Sequence, residues 1–304
     1  MISVCDGLRF PEGPVALPGG EFLVVEIEAR RITKIGANGS KTTVASFTGG
    51  PNGLAIGPDG KCYVCNNGGL TWTEDANGLR PGGEPADYAG GRIERVDLAT
   101  GEVETLYTET ANGPLRGPND IVFDRNGGFW FTDYGKARAR DMDRGGVYYA
   151  AADGSSIREV IYPMLTPNGI GLSPEEDRLY VAETITGRVW SFDLAGPGEI
   201  ARQPWPPCGG RLLYTAPNYR LFDSLAVDGE GNVCVGALYP GGISVISPEG
   251  GLVEHIELPD LMVTNLCFAG PDMRKAYVTA SCTGRLLEID WPRPGLAMNF
   301  VGAA

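Results

Sequence analysis

Histidine is nearly absent from this sequence of 304 residues, which contains only His255. That residue lies in the alternating segment 253–257, a pattern that predicts an exposed outer strand. A Ser-His-Asp triad needs a histidine in the active site, and catalytic zinc is usually bound by histidine and cysteine. The sequence therefore argues against a triad, and it makes zinc a less favoured metal than one that prefers oxygen ligands.

Basic residues are few, and long apolar runs are missing. The formal net charge is −13 at pH 7, so we expect neither nucleic acid nor an anionic membrane as a partner. No stretch approaches the roughly 18 apolar residues of a membrane helix, and residues 1–10 do not resemble a secretion signal. These absences predict a soluble protein of the cytoplasm.

The seven cysteines show no regular spacing. An odd number at irregular positions predicts buried reduced thiols rather than a disulfide framework. Cys62 and Cys65 form a CxxC pair, but residues three apart on a strand face opposite sides of a sheet. This placement argues against a redox or zinc site at the pair.

Helical periodicity is also missing, whereas 45 glycines and 23 prolines indicate many turns. A short motif recurs six times, with a polar residue ahead of a short apolar strand. The copies are Pro11-Glu12-Gly13, Pro51-Asn52-Gly53, Pro118-Asn119-Asp120, Pro167-Asn168-Gly169, Phe222-Asp223-Ser224 and Thr264-Asn265-Leu266. Repetition at intervals of about 50 residues is typical of repeat architectures.

Each copy continues as a hairpin, for example through the turn Pro58-Asp59-Gly60, and then into a third strand that begins with glycine. Four antiparallel strands in each of six units predict an all-β fold, a six-bladed β-propeller that forms one domain over residues 1–304. The last unit lacks a fourth strand, and segment 2–5 is predicted to supply it and close the ring. The short connections disfavour a parallel α/β fold, which needs crossover helices.

The innermost strands of a propeller line a central channel and begin on one face, so the residues that open them should converge. We call them the strand-opening residues, and the sequence predicts Glu12, Asn52, Asn119, Asn168, Asp223 and Asn265. Buried carboxylates need a partner, and hard cations prefer oxygen ligands. The sequence thus predicts one divalent metal ion, Ca²⁺ first, with Zn²⁺, Mn²⁺ and Mg²⁺ as alternatives. The competing interpretation is that Pro-Asn-Gly serves as turn chemistry alone.

These motifs resemble those of the SMP-30/gluconolactonase/luciferin-regenerating-enzyme family over nearly the whole chain. The resemblance implies a six-bladed propeller and a calcium- or zinc-dependent lactonase. It implies that the metal is held by Glu12 of Glu12-Gly13-Pro14, by Asn168 of Asn168-Gly169 and by Asp223. Asn119, in Asn119-Asp120, is implied to contact the metal or the substrate.

Two positions depart from the family pattern. Asp223 is followed by Ser224 rather than by glycine. Some sugar-lactone members place a substrate-binding arginine two residues before the Asn-Asp motif, where this chain has Gly117, preceded by Arg116. Arg116 is therefore the nearest candidate for that role, and the resemblance points to a lactone more directly than to an aldonolactone.

The predicted ring favours hydrolysis of a lactone, such as that of a sugar acid, as a small-molecule substrate. A cation would polarise the carbonyl, and we expect Asp223 to be both ligand and general base for the attacking water. Two alternatives stay open. One is a non-catalytic propeller that binds a ligand or protein around a structural metal, and the other is a metal-dependent hydratase or isomerase. The oligomeric state is left open.

More residues are predicted on the same face. The second strands end there, and the residues at these ends are predicted to cap turns or support the ligands: Glu26, Asn67, Asp133 and Glu183. The longest connection on this face, segment 68–91, is predicted to be a lid or specificity loop. The predicted substrate-binding set is Asn119, Asn52, Arg116, Asp133 and Trp72.

Overall fold

A computed structural model describes residues 1–302 of the chain. Its strands, numbered in chain order from β1 (Ile2–Cys5), build six antiparallel sheets and two small hairpins. Two 3₁₀ turns, at Pro18–Gly20 and Pro271–Met273, are the helical elements of these residues. Within the same range no helix is long and apolar enough to cross a membrane.

The first three blades follow one another along the chain. Blade one contains β2 (Pro11–Leu17), β3 (Glu21–Glu26), β4 (Arg31–Ile35) and β5 (Lys41–Ser46). Blade two contains β6 (Pro51–Ile56), β7 (Cys62–Asn66), the inserted hairpin β8 (Trp72–Asp75) and β9 (Gly78–Pro81), then β10 (Arg92–Val96) and β11 (Val103–Tyr107). After the hairpin β12 (Glu109–Thr110) and β13 (Gly113–Pro114), blade three contains β14 (Pro118–Phe123), β15 (Gly128–Asp133), β16 (Gly145–Ala151) and β17 (Ile157–Met164).

The last three blades repeat the pattern. Blade four contains β18 (Pro167–Leu172), β19 (Arg178–Glu183), β20 (Arg188–Gly196), the short β21 (Glu199–Ile200) and β22 (Arg211–Thr215). Blade five contains β23 (Leu221–Val227), β24 (Val233–Leu238), β25 (Gly242–Ile246) and β26 (Leu252–Glu257). Blade six contains β27 (Val263–Ala269), β28 (Lys275–Ala280) and β29 (Arg285–Asp290), with β1 as its outer strand.

The two ends of the ring meet in blade six. Ile2 pairs with Glu288 and Ser3 with Leu287, so β1 adds to the edge of β29. The innermost strands β2, β6, β14, β18, β23 and β27 contact one another in that order, and β27 returns to β2. The predicted all-β six-bladed propeller and its closure by the N-terminal strand are confirmed.

The core lies between neighbouring blades because the inner strands bury both of their faces. Phe129, Trp130 and Phe131 are successive residues of β15 and all have 0% exposure. Tyr63 of blade two packs edge-on against Phe123 of blade three, with ring centroids 4.9 Å apart. Large side chains on both faces of a blade fill the wedge-shaped gaps and fix the blades relative to one another.

The tight turns of the hairpins follow from their asparagine, aspartate and glycine residues. In the turn between β14 and β15, Asp124 Oδ1 accepts hydrogen bonds from the backbone N–H of Asn126 at 2.8 Å and of Gly128 at 3.2 Å. Gly127 adopts a φ of 87°, a left-handed conformation that costs glycine least. The aspartate thus replaces the ladder bonds that the turn interrupts.

A bulge interrupts the innermost strand of every blade near its start. In blade five Phe222 pairs with Ala237, whereas Leu225 pairs with Val235, so β23 contains one extra residue. Bulges re-aim side chains, and here each bulge holds a strand-opening residue. In this way an otherwise regular strand presents a polar side chain to the channel.

The register of blade six corrects one predicted position. Val263 pairs with Ala280, and Leu266 pairs with Val278, as the equivalent residues of β23 do. The sixth strand-opening residue is therefore Thr264, and the prediction of Asn265 is wrong by one position. Counting two residues back from the leucine in both blades would have found Thr264.

The cysteines and the histidine lie in structural positions. All seven cysteines are buried and unpaired in residues 1–302. His255 is on β26, the outer strand of blade five as expected, but it is half-buried rather than exposed. Its Nδ1 lies 3.1 Å from Ser244 Oγ. Ser244, the residue opposite it on β25, lies against the imidazole ring. The alternating pattern of the sequence does not reveal this contact.

Candidate metal and substrate site

A cavity of about 300 Å³, here called the upper cavity, opens at the end of the channel where the innermost strands begin. Five strand-opening residues from five different blades line it: Glu12, Asn52, Asn119, Asn168 and Asp223. The predicted convergence of these five residues is what the structure shows. Neither Thr264 nor Asn265 is among the described residues that line this cavity.

Glu12 is the carboxylate that β2 contributes, and it is 2% exposed. Its Oε2 accepts hydrogen bonds from the backbone N–H of Gly13 at 2.7 Å and from Asn265 Nδ2 at 2.8 Å. Burial raises the pKa of Glu12 above its ordinary value, and these hydrogen bonds only partly oppose that shift. Asn265 therefore supports Glu12 from below instead of lining the cavity.

Asp223 is the second carboxylate of the cavity. Burial and the nearby Glu12 charge raise its pKa well above the ordinary value, although Asn168 and the backbone N–H of Ser224 donate hydrogen bonds to it. The Ser224 N–H lies 3.1 Å from Asp223 Oδ1. Glu12 and Asp223 form no ion pair with any lysine or arginine of residues 1–302. Two acidic groups thus line one cavity, and neither is paired directly with a basic side chain.

Three asparagines complete this wall. Asn168 Nδ2 donates to Thr184 Oγ1 at 3.0 Å, which holds the side-chain amide in place. Asn119 Oδ1 is buried and has no hydrogen-bond partner in the described part of the chain. An unpaired buried acceptor costs about 1–3 kcal/mol, so its persistence calls for a ligand. Asn52 is 6% exposed and lies in the same wall.

The donor set suits a hard cation. Two unpaired carboxylates and an unpartnered amide oxygen at one cavity provide charge and oxygen atoms, and oxygen is what Ca²⁺ prefers. No group of three or more His, Cys, Asp and Glu suited to a metal occurs within residues 1–302. A cation in this cavity would therefore depend on asparagine oxygens for part of its coordination.

Asp120, the neighbour of Asn119, faces the other end of the channel. It lines a lower cavity of about 230 Å³ together with Asn265 and the C-terminal segment 296–299. Burial, with the Glu12 charge, raises the pKa of Asp120 to about 8. Its oxygens accept the backbone N–H of Ile121 at 3.0 Å and of Ile170 at 3.2 Å. Asp120 thus ties two innermost strands together beneath the strand-opening residues.

Three predicted substrate contacts lie outside the wall of the upper cavity. Arg116 is exposed, and its backbone N–H donates to Asp133 Oδ2 at 2.7 Å. Asp133 also accepts the N–H of Gly117 and of Gly135, so backbone groups occupy both of its oxygens. Trp72, on β8, packs against Phe10 with ring centroids 5.1 Å apart. Of that set, Asn52 and Asn119 alone line the cavity.

The four polar residues predicted at the ends of second strands all accept hydrogen bonds from the backbone of nearby loops. Asp133 is one example, and Glu183 Oε1 accepts the N–H of Leu165 at 2.9 Å. Glu26 Oε2 accepts the N–H of Arg9 at 2.7 Å, and Asn67 Oδ1 accepts that of Gly69 at 2.8 Å. Only Asn67 also lines the upper cavity. These polar residues shape the loops around the cavity.

Segment 68–91 lies along one side of the cavity, on the face where it was predicted. Leu70, Pro81, Gly82 and Gly83 contribute to the wall. The segment is held to the body by Leu79 N, which donates to Cys282 O at 2.9 Å, and by an ion pair of 2.9 Å between Arg9 and Glu74. Its position over the cavity is therefore built into several contacts.

Lys136 and Tyr134 line the cavity but were not among the predicted site residues. Both follow Asp133 at the end of β15, on the face where second strands end. This position in the sequence could have indicated that both residues lie near the cavity. Lysine in a loop of basic residues is more often exposed, so the burial of Lys136 was not expected. Burial raises the pKa of Tyr134 to about 12, with the Asp223 charge as a further cause. The hydroxyl of Tyr134 is therefore neutral at physiological pH.

Comparison with known proteins identifies the family of the chain. A family model described as the SMP-30/gluconolactonase/LRE-like region matches residues 10–282. The chain belongs to this family. Among its relatives in this SMP-30/gluconolactonase/LRE-like family, lactonase drp35 of Staphylococcus saprophyticus is 27% identical over 241 residues, 79% of the chain and 64% of that relative. The gluconolactonase of Zymomonas mobilis is 24% identical over 302 residues, 91% of the chain and 78% of that relative.

A solved structure of the same fold is a calcium-binding protein, regucalcin, from Agrobacterium tumefaciens. It superimposes with a TM-score of 0.72 at 18% identity, and the match covers 97% of this chain and 98% of that one. At this identity the likeness shows the fold alone. The match to drp35 spans less than two thirds of that relative's length, so its activity is not transferred to this chain by similarity.

Proposed function

We propose that this protein is a metal-dependent lactonase that hydrolyses a small cyclic ester. The observation that carries the proposal is a pair of carboxylates without ion-pair partners, the buried Glu12 and the half-buried Asp223, which line one cavity with the unpartnered oxygen of Asn119. Lactonases and gluconolactonases among the distant relatives support the reaction class. A volume of about 300 Å³ suits a small ring.

Glu12, Asn168, Asp223 and Asn119 would hold the metal ion. Ca²⁺ fits best because every donor is oxygen, and the calcium-binding protein of the same fold agrees with this choice. When bound, a divalent cation supplies Lewis acidity toward an ester carbonyl. A divalent charge would also balance the two carboxylates, which otherwise repel each other in a space with little water.

Asp223 is the proposed general base. The Ser224 N–H, 3.1 Å from Oδ1, and the Asn168 side chain orient this carboxylate in the cavity wall. The base takes a proton from water as the water oxygen bonds to the carbonyl carbon. The ring C–O bond then breaks, and the proton passes to the departing ring oxygen, giving a hydroxy acid. Asn52 and Asn119 line the space beside it and would orient the lactone.

Part of the remaining wall of the upper cavity is apolar. Phe10, Ile27, Leu238 and Met262 come from three blades and surround the polar floor. Such a wall accepts the carbon skeleton of a ring and limits the entry of further water. Exclusion of bulk water strengthens each electrostatic contact in the cavity.

The test combines metal analysis with turnover. The protein is dialysed against chelator, its metal content is measured, and hydrolysis of a lactone panel is followed with and without Ca²⁺, Zn²⁺ and Mn²⁺, with products identified by mass. We expect turnover that requires a divalent ion and yields hydroxy acids. Metal-dependent melting without turnover of any lactone would instead support the binding propeller. Products that retain or isomerise the ring would support an isomerase.

A further inference from the structure

Lys136 is the only basic residue that lines the upper cavity within residues 1–302. It follows Gly135 at the end of β15 and is 3% exposed, so its charge lies inside the protein. Lysine is rarely this buried without a carboxylate partner. Its ammonium group contacts Gly69, which lies between the cavity-lining residues Asn67 and Leu70, so the charge is at the edge of the cavity wall. Lactone hydrolysis at the polar floor does not by itself require a charge there.

The ammonium group has unused hydrogen-bonding capacity. Its one acceptor in the described chain is the carbonyl oxygen of Gly69, at 2.7 Å from Nζ. The ring of Tyr88 lies on another side, 5.4 Å from Nζ to the ring centroid. An ammonium has three N–H donors, and an aromatic face supplies attraction without accepting them all. Up to two donors therefore remain for a group that enters the cavity.

The carboxylates near Lys136 are committed to other partners. Asp133 receives three backbone N–H groups. Asp143 pairs with Arg138 at 2.8 Å and accepts the backbone N–H of Lys136 at 3.2 Å. Glu84 also pairs with Arg138, at 3.4 Å. None of the three lies within 4.0 Å of the Lys136 ammonium as an ion pair, so they lower the cost of burying it without occupying its donors.

The loop that presents Lys136 is rigidly built. The backbone N–H of Asp143 donates to Lys136 O at 2.9 Å, in return for the bond that Asp143 accepts. Gly135 adopts a φ of 80°, which favours glycine, and an added Cβ would lie 3.0 Å from the carbonyl oxygen of Asp143. A charged group held in place before the ligand arrives binds with less loss of entropy.

We propose that Lys136 binds a carboxylate of the substrate, so that the substrate is a lactone carrying one ionised carboxyl group. The identity of the ring rests on the proposed function, whereas the anion-binding role rests on Lys136 itself. The single charge of one ammonium group balances the single charge of a carboxylate, whereas a phosphate would leave about one negative charge unbalanced in the cavity wall. Lys136 is thus a specificity-determining residue.

The test uses a matched pair of lactones, γ-butyrolactone-γ-carboxylate and its carboxamide, which differ only in charge at one substituent. We expect wild-type kcat/KM to favour the carboxylate by about tenfold to a hundredfold, the range of a charge-assisted hydrogen bond. In K136M this ratio falls to about 1, mainly through KM. K136R retains part of the preference because the positive charge stays. K61M removes a lysine from a turn at the other end of the channel and should keep the wild-type ratio.

Three results would overturn the assignment. They are a wild-type ratio near 1, a K136M variant that keeps the preference, and a K136M variant that loses kcat equally for both lactones. The last result would mean that Lys136 acts on the reacting atoms. Melting curves accompany each variant, and K136M should fold, because methionine replaces a buried charge with an apolar chain of similar length.

A second readout separates this proposal from the lactonase proposal. Tetrahydrofuran-2-carboxylate and its carboxamide have no ester to hydrolyse, and their binding at saturating Ca²⁺ is measured by calorimetry. We expect the carboxylate to bind about tenfold or more tightly to wild type than to K136M, with little difference for the carboxamide. If no lactone is turned over but this difference appears, the lactonase proposal fails and the Lys136 site stands. Equal carboxylate affinity in both proteins would reject the site.

Discussion

At the residue scale, the carboxylates on the upper face fall into two kinds. Asp133 and Glu183 receive backbone N–H groups, which satisfy them as turn caps. Burial raises the pKa of Glu12, Asp223 and also Asp133, so the two kinds differ in their donors. Asp133 accepts three backbone N–H groups, whereas Glu12 and Asp223 each accept one. The difference arises from position, because a residue in the bulge of an innermost strand faces the channel and not a turn. Residue type alone does not distinguish the two kinds.

Replacement of Asp223 by asparagine tests its role as base. The amide keeps an oxygen ligand but cannot take a proton, so D223N at saturating Ca²⁺ should lose about 100-fold or more in kcat. Metal binding is measured in parallel by calorimetry, which separates a lost ligand from a lost base. D290N, at an exposed position of β29, is the control and should be fully active. Full turnover of metal-loaded D223N would remove Asp223 from the base role.

The charge of Lys136 should also appear in the pH dependence. Burial lowers the pKa of Lys136 to about 8, although Asp133, Glu84 and Asp143 oppose the shift. A bound divalent cation would lower that pKa further. Above it the ammonium loses its proton, so KM for the carboxylate lactone should rise between pH 7 and pH 9. Steady-state kinetics on both lactones would show this, after subtraction of alkaline hydrolysis.

The control for that pH step is K136R. Arginine stays charged throughout this range, so its KM for the carboxylate lactone should show no step. The carboxamide lactone should show none with either protein. A step of equal size in K136R would mean that another group titrates, and Lys136 would not be its source.

At the element scale, the hairpin β8–β9 determines how much of the upper cavity is covered. It is an insertion between the second and third strands of blade two, and it reaches blade six through Leu79 and Cys282. Leu79 is 5% exposed, so the hairpin is anchored by apolar burial as well as by the hydrogen bond. Its sequence fixes a hairpin, but contacts with two other blades fix where it lies.

Gly78 provides a test of that docking. It adopts a φ of 100°, and an added Cβ would overlap the carbonyl oxygen of Cys282. G78A should detach the hairpin, raise KM for lactones severalfold, and increase proteolysis within segment 68–91. G60A is the matched control, since Gly60 also has a positive φ, 72°, but open space around it. If both variants behave alike, backbone strain and not docking explains the effect.

At the scale of the whole molecule, the six blades are joined around a channel whose upper end collects acidic groups. Glu12 comes from blade one and Asp223 from blade five, with the asparagines of three other blades beside them. A cation bound there would contact several blades at once, so its binding free energy would add to the stability of the ring. Binding to the folded state alone stabilises by mass action.

Ca²⁺ should therefore stabilise the protein more at pH 7.5 than at pH 5.5. Burial raises the pKa of Glu12 and Asp223, so the metal-free fold binds more protons than the unfolded chain and loses stability as pH rises above about 4. The cation binds the ionised form, so its effect grows over the same range. At about 100 times Kd the gain should be about 2.7 kcal/mol.

Thermal unfolding with and without Ca²⁺ at the two pH values measures this effect, with KCl at equal ionic strength as the control for screening. E12Q should lose most of the gain, since one of the two carboxylates is gone. An equal shift at both pH values, or no shift with any divalent ion, would contradict a cation held by Glu12 and Asp223.

Much of the fold follows from the sequence alone. The repeat of a polar residue, an apolar strand and a tight turn is local, so it specifies six hairpins and, with the third strands, six blades. The closing strand was also predictable, because the last unit lacks a fourth strand and the N-terminal segment belongs to no other unit. Five of the six strand-opening residues could be located because each opens a strand at the same distance from its apolar run. Thr264 was missed because the neighbouring Asn265 resembles the other copies more closely.

Only the tertiary structure decided which polar residues remain without partners. Asp133 and Asp223 are both aspartates on the upper face, and the difference between them depends on which backbone N–H groups come near after folding. The burial of Lys136 likewise depends on Gly69 and Tyr88, residues of another blade. Such contacts join residues distant in the chain, so a local pattern cannot contain them. The sequence by itself determined the ring of blades and the oxygen-rich opening of its channel. Packing between blades decided which carboxylates there have few hydrogen-bond donors, and it buried Lys136 at the edge of the same cavity.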